Sequence, residues 1–190
     1  MTQRVPSLSR SIATGAVGFA LVSLGVFATV AFAERWMYRT FSELGAYLVW
    51  TVLFILLGGA VFGSLVVIRW RLPRFYLLFG LAFFAYAAGW VIAYFTLRGI
   101  AGEVVGSLAG SVLMAIVFAA GFRSLRSTVK LSAALFVSNF LGYFFGAAIL
   151  DSLRSQTGML LFGVVYGLFF GAGIAAVLHM VQQEQRNELG

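Results

Sequence analysis

The chain has 190 residues, 62% of them hydrophobic and only 10% charged, with a formal net charge of +7. A soluble domain carries about 25% charged residues, and so few charged side chains cannot clothe this much apolar surface, so a water-soluble globular fold is excluded. The absence of cysteine excludes a disulfide scaffold and a thiolate metal site, and a single histidine argues against haem or zinc chemistry.

Six predominantly apolar runs, each 19 to 25 residues long, occupy 11–33, 44–68, 75–97, 104–122, 131–150 and 159–181. About 20 residues at 1.5 Å rise cross a hydrocarbon core of roughly 30 Å, and a backbone in lipid must satisfy its own hydrogen bonds, so each run predicts a transmembrane helix. The expected fold is all-α: a polytopic bundle of six transmembrane helices, one transmembrane domain over residues 1–190, lodged in the cell membrane with the lipid bilayer as its first partner. The first run follows a basic start and ends in Ala31-Phe32-Ala33, which resembles a signal-peptide cleavage site. Its apolar stretch is too long for a signal h-region of about 7 to 15 residues, so an uncleaved helix is expected.

Between the first two runs, Arg39 and Glu43 stand four apart while Met37 and Phe41 share another helical face. One or two interfacial turns are expected there, as an anchor in preference to a lid. The basic segment Arg69-Trp70-Arg71-Leu72-Pro73-Arg74 abuts a span end, where arginine meets headgroups and tryptophan sits at the interface. Nucleic acid is therefore not an expected partner, despite a pI near 10.4. With the N-terminus placed in the cytoplasm, nine cations fall on that side: Arg4, Arg10, Arg69, Arg71, Arg74, Arg123, Arg126, Lys130 and Arg186. The other side keeps four, Arg35, Arg39, Arg98 and Arg154, diluted by Glu34, Glu43, Glu103 and Asp151. That bias predicts cytoplasmic N- and C-termini. The tail from Gln182 to Gly190 is polar and is expected to fray.

Small residues four apart let helix backbones approach closely in lipid, where no hydrophobic force drives helices together. Three triples stand out: Gly102, Gly106 and Gly110; Ser138, Gly142 and Gly146; Gly163, Gly167 and Gly171. With the orientation above they predict a tightly packed outer half formed by the fourth, fifth and sixth helices. The same faces would serve a seam with a membrane-protein partner or a second copy of the chain.

No Asp, Glu, Lys or Arg lies near the middle of any run, which argues against a proton relay, a carboxylate sodium site and a voltage sensor. The deepest strongly polar side chain is Asn139, with Ser138 beside it. An unpaired amide in hydrocarbon costs several kcal/mol, so Asn139 is expected to clamp another helix, with Tyr86, Tyr166 or Ser111 as partner. Asn139, Ser138, Tyr86, Trp90 and Tyr166 are also the candidate polar contacts for a ligand. His179 lies near the end of the last run and reads as a polar end group. No Gly-x-Ser-x-Gly, His-Glu-x-x-His or phosphate-loop pattern is present, so no catalytic or metal-binding residue is assigned and an enzyme is not expected. Both prolines lie outside the runs, which favours a rigid bundle over a carrier with broken helices. Two readings follow. The first is a non-catalytic subunit or scaffold packing against a membrane partner or an apolar cofactor, whose identity the sequence does not specify. The second is a small transporter or substrate-binding component for a neutral or apolar solute. A cavity reaching Asn139 favours the second, and a filled interior the first.

Overall fold

The computed structural model describes residues 5–67 and 72–189, with side chains defined as far as Asn187. The described residues form helices: α1 (Leu8–Gly63), α2 (Leu72–Leu97), α3 (Gly99–Gly121), a 3-10 turn at Leu125–Ser127, α4 (Thr128–Leu153) and α5 (Gln156–Leu189). Five helices are long and apolar enough to cross a membrane, in place of the six separate runs expected. The difference lies in α1. The first two apolar runs belong to one 56-residue element, because the helical turns expected between them, residues 34–41, continue the first helix without a break.

A straight helix of 56 residues would be about 84 Å long at 1.5 Å per residue. It is interrupted at Ser42, whose φ of 62° and ψ of 173° are non-helical. The Ser42 hydroxyl accepts from the Gly45 amide at 3.4 Å, an N-cap contact that starts the second arm. The two arms, residues 8–41 and 43–63, then run back along one another. Phe19 meets Phe62 with ring centroids 5.4 Å apart, Phe27 meets Phe54 at 6.4 Å, and the Trp50 indole donates to Thr29 Oγ1 at 3.0 Å. The second run ends at Gly63 in place of Ile68, which lies outside the described residues together with Arg69, Trp70 and Arg71.

Three other turns are also marked by non-glycine residues with positive φ: Arg98 (53°), Arg123 (57°) and Arg154 (40°). After α3 the Ser124 amide bonds to Ala119 O at 2.7 Å and the Arg123 amide to Ala120 O at 3.2 Å. That is a Schellman closure with arginine where glycine is usual. A cation there faces the negative end of the helix dipole, which partly offsets the steric cost of the left-handed conformation.

The elements close into a ring of neighbours: α1 packs on α2, α2 on α3, α3 on α4, α4 on α5, and α5 back on α1. Large apolar side chains cover the outside, Val129 at 82% and Ile100 at 73% exposure among them, as suits contact with lipid. The small-residue triples seat neighbours that differ from those expected. Gly102, Gly106 and Gly110 receive Tyr94, Trp90 and Tyr86 of α2, so this triple does not knit the fourth span to the fifth and sixth. Gly142 and Gly146 receive Tyr166 and Phe162 of α5, and Gly163, Gly167 and Gly171 receive Phe27, Ala20 and Gly15 of α1. The chain's own helices thus occupy these faces. Each pair of partners runs antiparallel.

The glycine contacts are close, as expected, but the large enclosed side chains gather elsewhere. One end of the bundle carries the Ser42 bend and the turns at Arg98 and Arg154; the other carries both chain ends. The fully enclosed large side chains, including Phe62, Phe75, Phe79, Phe118, Phe122, Leu131, Leu135 and Leu178, fill the half nearest the chain ends. The half nearest the bends is hollow. Glycine lets two backbones approach, but the aromatic side chains it receives are too large and stiff to fill the space between more distant helices.

The polar tail is not frayed, since α5 runs to Leu189. Gln182 is 1% exposed: its Oε1 accepts from the Val67 amide at 2.9 Å, and its Nε2 donates to Leu65 O at 3.2 Å and Leu178 O at 3.0 Å. It pins the chain leaving α1 to the last helix. Two residues on, Ser124 and Ser127 both donate to the Glu184 carboxylate and hold its pKa below the usual carboxylate value. We expect Gln182→Leu to lower stability by about 1 kcal/mol, because this end is near water, which can rehydrate the freed Val67 and Leu65 groups. Thermal unfolding in detergent would register the loss, and an unchanged midpoint would show that the pin carries no stability.

Candidate functional site

The hollow half holds a cavity of about 340 Å³ between the two arms of α1, the middle and end of α2, and the facing parts of α4 and α5. Its wall is aromatic: Phe27, Tyr38, Tyr47, Trp50, Phe54, Phe83, Tyr86, Trp90, Tyr143, Phe162 and Tyr166 all contribute, with Val26, Ala87, Leu150 and Met159 between them. Thr51 and Glu34 complete the polar lining. This composition resembles small-molecule sites, which are concave and mostly apolar with a few placed polar groups.

The rings reach the cavity from fixed positions. Trp50 is held by its bond to Thr29 Oγ1 and flanked edge-on by Tyr38 at 6.0 Å and Tyr47 at 5.6 Å. Trp90 stacks on Tyr94 at 5.0 Å and tilts against Tyr143 at 6.0 Å. Both tryptophans lie in the half near the bends, as interfacial aromatics do. The floor is a plug around Phe19, whose ring meets Phe54 at 5.5 Å, Phe62 at 5.4 Å, Phe83 at 6.2 Å and Phe170 at 6.1 Å.

At the deep end three helices meet through polar atoms. Tyr86 Oη donates to Asn139 Oδ1 at 2.6 Å, and the Tyr86 and Tyr166 hydroxyls are 3.2 Å apart. Tyr86 has one hydrogen, already given to Asn139, so Tyr166 is the donor in the second bond. Asn139 is 0% exposed and its Nδ2 has no partner. Its place in the chain explains the clamp: α4 presents Asn139 inward on the face that carries Leu135, Gly142 and Gly146, and the glycines bring α5 close enough for Tyr166 to meet Tyr86.

Of the five residues expected as ligand contacts, Tyr86, Trp90 and Tyr166 line the cavity, and Asn139 stands one hydrogen bond behind its wall. Ser138 is elsewhere. About 100° further round α4, it bonds to Leu135 O at 3.0 Å and packs against Gly173 of α5. Ser111 is enclosed and does not reach Asn139; its hydroxyl has no partner. His179 is half-buried, with no partner for its Nδ1. Among the described residues, no three His, Asp or Glu side chains gather as metal ligands.

The sequence reading missed Glu34 and Tyr38, which fall in the segment expected to be an interfacial anchor, and Tyr47 and Trp50, which it left unremarked within the second apolar run. Tyr38 lies beside Glu34, and burial, followed by the charge of that carboxylate, pushes its phenol well above the usual value. The signal available was the heptad-like spacing of Phe27, Glu34 and Tyr38, which continues the inward face of the first arm past the apolar run.

No protein-family model matches the chain, and no curated protein or solved structure does either. What the fold and hydropathy define is a class, an all-helical protein with five helices suited to a membrane.

Proposed function

We propose that the chain is a non-catalytic integral membrane protein that binds a small, mostly apolar molecule in the aromatic cavity. It crosses the bilayer six times, with both ends in the cytoplasm and the cavity opening toward the opposite face. Two features support six crossings: the antiparallel arms of α1, and, among the described residues, Arg10, Arg74, Arg123, Arg126, Lys130 and Arg186 at the end where the chain ends lie against Arg35, Arg39, Arg98 and Arg154 at the other. The observation that carries the binding reading is the hollow itself. It meets three of the side chains that the sequence marks as polar exceptions within apolar runs. The rival reading, a scaffold that packs against a partner, has less support, because the small-residue faces are filled from within the chain.

Ala87 lines the wall without a large side chain, so Ala87→Phe adds a ring to the cavity. In micelles of dodecylmaltoside, the neutral dye N-phenyl-1-naphthylamine should show a saturable rise in emission with the natural chain, and about tenfold weaker binding with Ala87→Phe. A signal that never saturates, or is identical in both proteins, refutes the cavity as a binding site.

A further inference from the structure

Resting on the cavity-binding reading, we propose that the occupant is an organic cation, a quaternary or protonated ammonium on an apolar body, and not the neutral solute that the sequence suggests. The wall supplies electron-rich surfaces, and several of its donors are already engaged within the protein. Trp50, Trp90, Tyr38, Tyr47 and Tyr143 line the cavity, and the face of such a ring attracts a cation. Glu34 is the charged side chain in the lining; Arg35 and Arg39, its neighbours in the sequence, are not part of it. In a protein of net charge +7, Glu34 in the lining, with Glu43 near Tyr38 and Tyr47 and Glu103 beside Tyr143, sets negative charge against the aromatic chamber.

The hydrogen-bond inventory points the same way. The Trp50 N–H is given to Thr29, the Thr51 hydroxyl to Tyr47 O at 2.8 Å, and the Tyr86 hydroxyl to Asn139. Tyr166 gives its hydrogen to Tyr86. These four donors are therefore engaged within the protein, which leaves ring surface and the Glu34 carboxylate as the lining groups best matched to a positive charge. The volume of about 340 Å³ admits a single aromatic ring bearing a trimethylammonium group.

The test is displacement of N-phenyl-1-naphthylamine in uncharged maltoside micelles by benzyltrimethylammonium and by neopentylbenzene, its neutral isostere. The expected result is displacement by the cation at a concentration roughly tenfold lower, the scale of a desolvated cation–π contact. Glu34→Gln, at an exposed position and able to keep a hydrogen bond to Tyr38, should weaken the cation about threefold and leave the isostere unchanged. A phosphatidylcholine lipid added as competitor separates the two sources of this chemistry. If it displaces the dye, the natural cation is a lipid headgroup; if it does not, the cation is a free solute. Equal displacement by cation and isostere overturns the proposal and leaves the cavity reading intact. A dye signal that never saturates removes both.

Discussion

Replacing Gly167 by leucine should unfold the bundle or cost on the order of 3 kcal/mol, as overpacking of a rigid interface does. A Cβ at this position would lie 2.6 Å from Ala20 Cα and 2.7 Å from Phe19 O, both backbone atoms of α1, which cannot turn aside as a side chain can. The neighbouring contact, Gly171 on the Gly15 carbonyl, is as close, so the two helices have no room to slide apart at one end alone. Gly25 is the matched control. A Cβ there meets nothing within 4 Å, so Gly25→Leu should be neutral or slightly stabilising through helix propensity. Thermal unfolding and size-exclusion profiles of the two variants in one detergent decide the matter. Equal behaviour would mean that the close approach of α5 to α1 does not hold the fold together.

The second large effect belongs to the clamp. Tyr86→Phe removes the one hydrogen bond that the enclosed Asn139 amide makes, leaving both its oxygen and its nitrogen unpaired in an apolar interior. We expect a loss of about 2 kcal/mol, the scale of an unsatisfied buried polar group. Because the loss comes from the stranded amide and not from the missing hydroxyl, removing the amide as well should help. Tyr86→Phe with Asn139→Leu is expected to be more stable than Tyr86→Phe alone. Such a double-mutant cycle isolates the coupling between the two side chains. Additive effects would show that the two side chains do not act as a pair.

Much of this was legible in the residues. An apolar run of spanning length lies within every long helix, since hydropathy and the need for internal hydrogen bonding leave a chain in lipid little choice, but the first two runs share one element. Asn139, Tyr86 and Tyr166 were legible as a group because each is a polar exception in an apolar run. Helix ends were less so: residues 34–41 read as separate interfacial turns, yet nothing in them stops the first helix before the Ser42 cap. Gln182 was misread as part of a loose tail, although it falls seven residues after Ala175 and four after Leu178, on the same buried face. Ser138 and Asn139 were grouped by sequence proximity, whereas adjacent residues on a helix point about 100° apart. The cavity has no direct sequence signal. It is a property of three-dimensional spacing between side chains of five separate segments, and no run of letters records empty volume.

The aromatic plug around Phe19 sets a limit on traffic through the molecule. With Phe54, Phe62, Phe83 and Phe170 closed about one ring, the chamber is a cup and not a pipe. A guest that enters by the bent end must leave by the same door in this arrangement. Passage to the far side would require several benzene rings to part together, so the binding proposed above would admit a guest from one end of the bundle alone.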